Sequence, residues 1–403
     1  MSGVVVIGAG QAGYQTAESL RKEGFDGAIT IIGEEPYAPY QRPPLSKAYL
    51  LGETDKDRLR FRTDEYYADQ NIDLRVNVAV TGLDVAARQV TLSDGTSLAY
   101  DDLVIATGAR VREIPVPGAD LEGIFYLKTL ADVDGIEARL ADVDSVAVIG
   151  AGFIGLEFAA VARKLGKEVT VLEAAPRVMS RVVTEELSDY FTGVHQDHGV
   201  NVVCNAFVSG FEGEDAVNAV TCKDGSSYPA QLVVVGIGVI PNSELAEAAG
   251  ITCDNGIVVD ENGRTSDPHV FAAGDVAAYA NPFSGKLMRL ESVQNAADQG
   301  RIVAAAIAGN PKPYNTVPWF WSDQYDLKLQ MVGLQDGCDQ TVLRGDEKAK
   351  KFSLLHFRDG QLRAIDSVNA AADHMMGRKL LAAGISPTPE QAADIGFKLK
   401  SLL

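Results

Sequence analysis

Cysteine is scarce. Four residues, Cys204, Cys222, Cys253 and Cys338, are scattered through a chain of 403, and no two form a C-x-x-C pair. That scatter argues against a disulfide framework and against a zinc or other metal site. Long apolar runs are missing too: they are short and interrupted by glycine, below the roughly 20 residues a membrane-crossing helix needs. The apolar fraction is nonetheless 46%, enough for sizeable cores. The N-terminus enters a strand-like run at once, with no basic segment and no room for a secretory leader, which points to a cytoplasmic location. Positive charge is in deficit: 36 Lys and Arg against 55 Asp and Glu leave a formal charge of −19. Nucleic acid and anionic membrane both call for a basic face, so neither is expected as a partner. A local basic patch facing an acidic protein is compatible with that total.

What is present is a repeat. Gly8-Ala9-Gly10-Gln11-Ala12-Gly13 recurs as Gly150-Ala151-Gly152-Phe153-Ile154-Gly155. Each copy follows an apolar run, Val4–Ile7 or Val146–Ile149, and opens a helical pattern. Each also reaches a carboxylate after a second apolar run, Glu34 after Ile29–Ile32 and Glu173 after Val169–Leu172. One G-x-G-x-x-G is weak evidence, whereas two in full strand–turn–helix context are strong. In each copy the first glycine permits a tight turn, the second lets backbone approach a pyrophosphate, and the third lets helix and strand pack closely. The helix N-terminus then offers N–H groups and the positive end of its dipole to phosphate. The two carboxylates are placed to accept from ribose hydroxyls. Two dinucleotides on one chain imply electrons passing between them.

Strand and helix patterns alternate, which reads as an α/β fold with parallel sheets. The length suits two or three domains. A break at 109–118, with two prolines and a glycine, closes a first dinucleotide unit spanning 1–110. A second unit runs over 111–242 and ends at the Gly236–Asn242 crossover. Residues 243–317 read as a return to the first domain, because Val270–Ala273 leads into a Gly274-Asp275 turn. The stretch 318–403 differs: an α+β unit with alternating strands such as Lys351–Phe357 and helical segments over Ala370–Ala383 and Pro389–Leu402.

Beyond the glycine motifs stand Tyr40-Gln41-Arg42-Pro43-Pro44-Leu45-Ser46-Lys47, Ile105-Ala106-Thr107-Gly108-Ala109-Arg110, Thr265-Ser266-Asp267-Pro268, Glu291-Ser292-Val293 and Pro318-Trp319-Phe320-Trp321-Ser322-Asp323-Gln324-Tyr325. With these, the chain resembles the FAD-dependent pyridine-nucleotide reductases over essentially its whole length. Within them it is most similar to the NADH:ferredoxin reductases of bacterial oxygenase and cytochrome P450 systems. The resemblance implies a glutathione-reductase-like fold of two Rossmann-like domains and a C-terminal α+β interface domain. The first unit is expected to hold FAD, with Gly8, Gly10, Ala12 and Gly13 at the pyrophosphate and Glu34 at its ribose. Val80 is expected at the adenine side through its backbone, and Lys47 near the flavin ring. Arg42, Ala106, Thr107, Gly108, Lys128 and Trp319 fall at further FAD-contacting positions. Asp275 is expected at the ribityl chain and the Val293 amide at the pyrimidine end of the ring. The second unit is expected to hold NADH through Gly150, Gly152, Ile154, Gly155, Glu173 and Gly238. Lys47 and Glu157 are the expected catalytic pair, Glu157 orienting the nicotinamide rather than acting as a base, since hydride transfer needs none.

A carboxylate at 173 accepts from the 2′-hydroxyl of NAD and repels the 2′-phosphate of NADP. Arg177 and Arg181 lie close enough in sequence to oppose that preference. The resemblance implies that disulfide reductases of the superfamily place a redox-active cysteine pair just after the first nucleotide unit and that other branches use a single cysteine there. This chain's Pro43–Lys47 stretch has none; Ser46 or its neighbours stand in that place, and serine cannot cycle through sulfenate or disulfide. The expected outflow is therefore single electrons to an acidic 2Fe–2S ferredoxin. Candidate docking cations are Arg301, Lys286, Arg289, Arg62 and Lys328, with Arg301 foremost because it follows the segment reaching the flavin. The alternatives are an NADH oxidase or diaphorase, and an NADH-sensing redox switch of the apoptosis-inducing-factor kind. The expected state is a monomer or a weak homodimer.

Overall fold

The computed structural model describes residues 3–403. Five short strands rich in β-branched residues form the first sheet, in the order Val270–Ala272, Asp102–Ile105, Val4–Ile7, Ile29–Ile32, Ile72–Arg75, all parallel. Both faces are covered, which explains the uninterrupted apolar runs. One face buries Val4, Val6, Ile29, Ile31 and Phe271 beneath the helices Gln11–Lys22 and Val293–Ile307. These two helices touch closely: a Cβ on Gly300 would stand 2.9 Å from the Ala12 carbonyl oxygen. The other face packs Val5, Ile7 and Ile105 against Val90 and Leu92 of a small antiparallel sheet (Val80–Asp84, Gln89–Leu92, Ser97–Ala99).

The second sheet repeats this plan, in the order Val200–Cys204, Glu168–Glu173, Ser145–Ile149, Leu232–Val235, Ile124–Tyr126, again parallel. The helices Leu130–Leu140, Phe153–Lys164 and Glu185–Asp197 belong to this unit. A second three-stranded sheet (Val208–Gly213, Val217–Cys222, Ser227–Pro229) buries Phe211 and Val220 with Ile149 and Val235. The two chain crossings between the sheets pair with each other: Ala109–Val111 runs antiparallel to Val239–Pro241. Asn242 seals the crossing, donating its side-chain amide to the Thr107 carbonyl (2.9 Å), while the Thr107 hydroxyl donates to the Asn242 carbonyl (2.8 Å).

The remaining chain is an antiparallel sheet ordered Trp319–Gln324, Leu327–Gly333, Gln361–Val368, Lys351–Arg358, Gln340–Asp346, followed by the helix Ala371–Ala383. The helical stretch expected over 389–402 is broken. It forms a short helix Pro389–Ala393 and a final 3-10 turn Leu399–Leu402. The reason is tertiary: the buried Arg344 guanidinium draws in the carbonyls of Ala392, Asp394 and Phe397, which a continuous helix needs for its own ladder. The Asp394 side chain meanwhile accepts from the Gly396 N–H in a turn (2.8 Å).

Candidate active site

The two glycine turns have nearly the same geometry. Gly8 and Gly150 hold φ +113 and +99, which L side chains rarely adopt, and a Cβ there would meet the Ala106 oxygen at 2.2 Å or the Gly236 oxygen at 2.4 Å. Gly13 and Gly155 are equally tight, their Cβ positions 1.9 Å from the Gly8 oxygen and 2.2 Å from the Gly150 oxygen. Gly10 and Gly152 are the opposite case: a Cβ there meets nothing within 4 Å. Both are helix N-caps without a side-chain cap, so the first N–H groups of each helix face open space. Uncapped N–H groups bordered by missing side chains suit a pyrophosphate. Both cradles therefore fit a dinucleotide.

Around the first cradle, Glu34 is exposed just past the second strand, and Val80 begins the covering sheet. Ala106 is buried with its N–H on the Ile7 carbonyl (2.7 Å), and Gly108 holds φ +65. Arg42 is partly buried. It pairs with Glu35 and donates to the Tyr40 hydroxyl (3.2 Å) and the Lys128 carbonyl (2.9 Å). Glu35 and Tyr40, not singled out from the sequence, thus orient this arginine. Burial pushes the Asp275 carboxyl above the usual carboxylate range, opposed by the Lys128 ammonium. Burial also pulls Lys128 below the usual lysine range, opposed by Asp275. Ser292 caps the helix Val293–Ile307 by accepting from the Asn295 N–H (3.0 Å), which places the Val293 N–H at the tip of the first turn. Trp319 lies against that helix, its backbone N–H donating to the Gln294 side-chain oxygen (3.2 Å).

At the second cradle Ile154 is 48% exposed beside the turn. Both Glu173 oxygens are engaged, accepting from the Ala151 and Ala175 N–H groups at 2.7 Å each. Gly238 (φ +108) faces Arg181, whose guanidinium lies 3.9 Å from the Cβ position. Arg177 is committed elsewhere, donating to the carbonyls of Val183 (2.8 Å), Thr184 (3.3 Å) and Ser180 (3.0 Å).

Lys47 meets Glu157, on the helix that the second cradle opens. Glu157, on the helix of the second cradle, is 4% exposed rather than solvated. Its Oε2 accepts from Lys47 Nζ (2.5 Å) and from the Ser46 hydroxyl (2.6 Å), and its Oε1 from the Ser322 hydroxyl (2.7 Å). All three sequence regions thus converge on one carboxylate. A buried charge requires such partners. Ser46 supplies a hydrogen-bond donor where a thiol chemistry would need sulfur, and all four cysteines are free.

The docking cations divide. Arg289, expected among the docking cations, is withdrawn from the surface: its side chain is 8% exposed and binds Glu291 (3.0 Å) and the Asp275 carbonyl (2.6 Å). Lys286 pairs with Asp336, and Lys328 stands 4.0 Å from Asp323. Arg301 pairs with Asp298 (2.5 Å) and reaches Gln15 (3.4 Å), while Arg62 pairs with Glu18 (2.8 Å), so both are anchored to the helix Gln11–Lys22 and half-exposed. The sequence reading missed Arg378, an exposed arginine whose guanidinium lies 4.7 Å over the Trp319 ring. Only the fold brings these two residues together.

The chain thus holds two glycine cradles of matching geometry, and the Lys47–Glu157 pair joins the helix of the second to the Pro43–Lys47 stretch. The chain belongs to the pyridine nucleotide-disulphide oxidoreductase family, which residues 2–300 match, and residues 319–403 match the reductase C-terminal family. It is 49% identical to rhodocoxin reductase of Rhodococcus erythropolis, over 98% of this chain and 93% of that protein. It is 40% identical to putidaredoxin reductase of Pseudomonas putida, over 99% and 96%. A solved ferredoxin reductase for the CYP199A2 system of Rhodopseudomonas palustris superposes with a TM-score of 0.97 at 49% identity, covering 100% of this chain and 99% of that one. A covalent putidaredoxin reductase–putidaredoxin complex superposes with a TM-score of 0.97 at 40% identity, covering 100% and 98%. This family membership implies a flavin and a pyridine nucleotide. No helix among the described residues is long and apolar enough to cross a membrane.

Proposed function

We propose that this chain is a cytoplasmic, FAD-containing NADH:ferredoxin reductase that supplies single electrons to a 2Fe–2S ferredoxin serving a cytochrome P450 or a ring-hydroxylating oxygenase. The observation that carries the reading is the pairing of Lys47 with the buried Glu157 in a chain with two open glycine cradles, with serine at position 46. In this reading residues 1–110 and 243–317 form the FAD domain, 111–242 the NADH domain and 318–403 the interface domain.

Gly8, Gly10, Ala12 and Gly13 receive the FAD pyrophosphate on the helix N-terminus, and Glu34 takes the adenosine ribose. Val80 meets the adenine, Asp275 the ribityl chain, and the Val293 N–H the pyrimidine end, where the helix dipole favours negative charge. Arg42, Lys128, Ala106, Thr107, Gly108 and Trp319 complete the wall. A bound flavin supplies the conversion of one hydride into two single electrons. Lys47 holds a fixed positive charge against the ring, and Glu157 keeps that ammonium in place and orients the nicotinamide. Gly150, Gly152, Ile154, Gly155 and Gly238 receive NADH. The Glu173 carboxylate favours a 2′-hydroxyl over a 2′-phosphate. Arg177 turns its guanidinium N–H groups to backbone carbonyls, and Arg181, beside Gly238, is the cation that opposes this preference.

Arg301, Arg62 and Arg378 supply positive charge for an acidic partner on a chain that is otherwise strongly negative. Such steering raises the encounter rate and weakens with salt. The test is anaerobic stopped-flow absorbance: one equivalent of NADH, then oxidised 2Fe–2S ferredoxin. Bleaching of the yellow absorbance by NADH, followed by fast, salt-sensitive recovery as the ferredoxin is reduced, is the expected result. Faster recovery with oxygen than with ferredoxin overturns it in favour of an oxidase. A long-lived charge-transfer band with no outflow overturns it in favour of a redox switch.

A further inference from the structure

The strand Trp319–Gln324 has two faces with different duties. Its even face lies on the second domain. Phe320 meets the Phe153 ring (centroids 4.7 Å apart), Ser322 donates to Glu157, and Gln324 meets His195 (2.9 Å). Its odd face carries Trp319 and Trp321, 5.6 Å apart, with His374 and Arg378 around Trp319. This is the period of two of a β-strand, used to touch two sites with one element.

The even face continues as a buried chain of hydrogen bonds whose polarity is forced. Glu157, accepting from Lys47 and Ser46, is a carboxylate with acceptor oxygens only, so the Ser322 hydroxyl donates to it. Ser322 Oγ then accepts from the Gln324 amide nitrogen (3.2 Å). The Gln324 carbonyl accepts from His195 Nε2–H (2.9 Å), and His195 Nδ1, left without a proton, accepts from the Tyr325 hydroxyl (3.2 Å). Ser322, Gln324 and His195 are all 0% exposed. The ring must stay neutral for this order to hold, and burial, which lowers the His195 pKa to about 4, keeps it so. Every donor from Tyr325 inward points toward Glu157.

We infer that Ser322, Gln324 and His195 are positioning residues for the hydride half-reaction: a one-way relay by which the C-terminal sheet holds the Glu157 carboxylate, and through it the Lys47 ammonium, in register with the nicotinamide. The inference rests on the placement of Glu157 in the proposed function. It assigns the relay to entry of electrons and not to their exit, although the same strand carries the tryptophans of the exit face.

The two half-reactions separate these roles. Ser322→Ala removes one hydrogen bond to a charged acceptor, an interaction strong enough for a rate effect of about tenfold. The expected result is NADH-driven flavin reduction about tenfold slower at saturating NADH. Reoxidation of the dithionite-reduced enzyme by ferredoxin stays unchanged, and Ser322→Thr, which keeps the hydroxyl, recovers the rate. Gln324→Met, which cannot donate to Ser322, is expected to slow the same step, and it carries the test if Ser322→Ala does not fold. Equal slowing of both half-reactions, or slowing of neither, overturns the inference. Nitrogen-15 NMR of the wild-type histidines gives a reading free of turnover: His195 is expected as the neutral Nε2–H tautomer, and an Nδ1–H tautomer overturns the relay. If wild-type enzyme is not reduced by NADH at all, the proposed function fails instead, an outcome distinct from any of these.

Discussion

Gly152→Ala separates ligand geometry from folding. The residue is an N-cap with φ −78, a value open to alanine, and the added Cβ meets no protein atom within 4 Å. Folding should therefore change by less than about 1 kcal/mol, since the small loss at the N-cap and the lower entropy of the unfolded chain oppose each other. The methyl instead stands over the helix N-terminus, in the space the proposed function assigns to the pyrophosphate. Pushing the phosphates off two charge-assisted N–H bonds, at about 1.5 kcal/mol each, costs about 3 kcal/mol, or roughly a hundredfold in the NADH dissociation constant. The variant should be purified yellow, with wild-type flavin content, urea midpoint and dithionite reduction. NADH titration under anaerobic stopped flow reads the affinity. Gly10→Ala (φ −91, with nothing within 4 Å) is the matched control, expected to lose flavin while still binding NADH analogues. Unchanged NADH affinity in Gly152→Ala would refute the phosphate cradle. A large drop in stability would refute the open-space argument.

Charge reversal tests the docking face. Arg301→Glu and Arg378→Glu should each raise the ferredoxin KM several-fold at low salt while leaving NADH-driven flavin reduction alone, and the difference should shrink as salt screens it. An unchanged KM for Arg378→Glu removes the Trp319 edge from that face. Acid stability should report the buried histidines. His195 and His374 are held neutral by burial, with pKa values of about 4, below the roughly 6.5 of an unfolded chain. Between those values the unfolded chain binds more protons, so stability falls as pH drops from about 6.5 toward 4, by about 3 kcal/mol for each ring. His195→Gln should remove its share of that slope in urea titrations at stepped pH; an undiminished slope contradicts a neutral buried ring.

Local sequence made the nucleotide cradles legible because their requirements are local. A positive φ at Gly8 and Gly150, a missing Cβ at Gly10 and Gly152, and an apolar run before each turn are all written within a dozen residues. The absence of a thiol at Ser46 was equally plain. Lys47 and Glu157 were placed by motif resemblance, but their contact was not readable, because 110 positions of chain separate them and no local rule couples residues so distant. The same holds for Ser322 on Glu157, for Arg378 over Trp319, and for the burial of Arg289 that withdrew it from the surface. The interrupted end of the chain makes the point in reverse: the pattern over 389–402 is helical, yet Arg344, from a different strand, claims its carbonyls. Backbone conformation and open space at a turn depend on neighbours in sequence, so the chain alone located two glycine cradles of matching geometry. Charge pairing, burial and hydrogen-bond direction depend on neighbours in space, so only the tertiary structure decided that Lys47, Ser46 and Ser322 meet on Glu157.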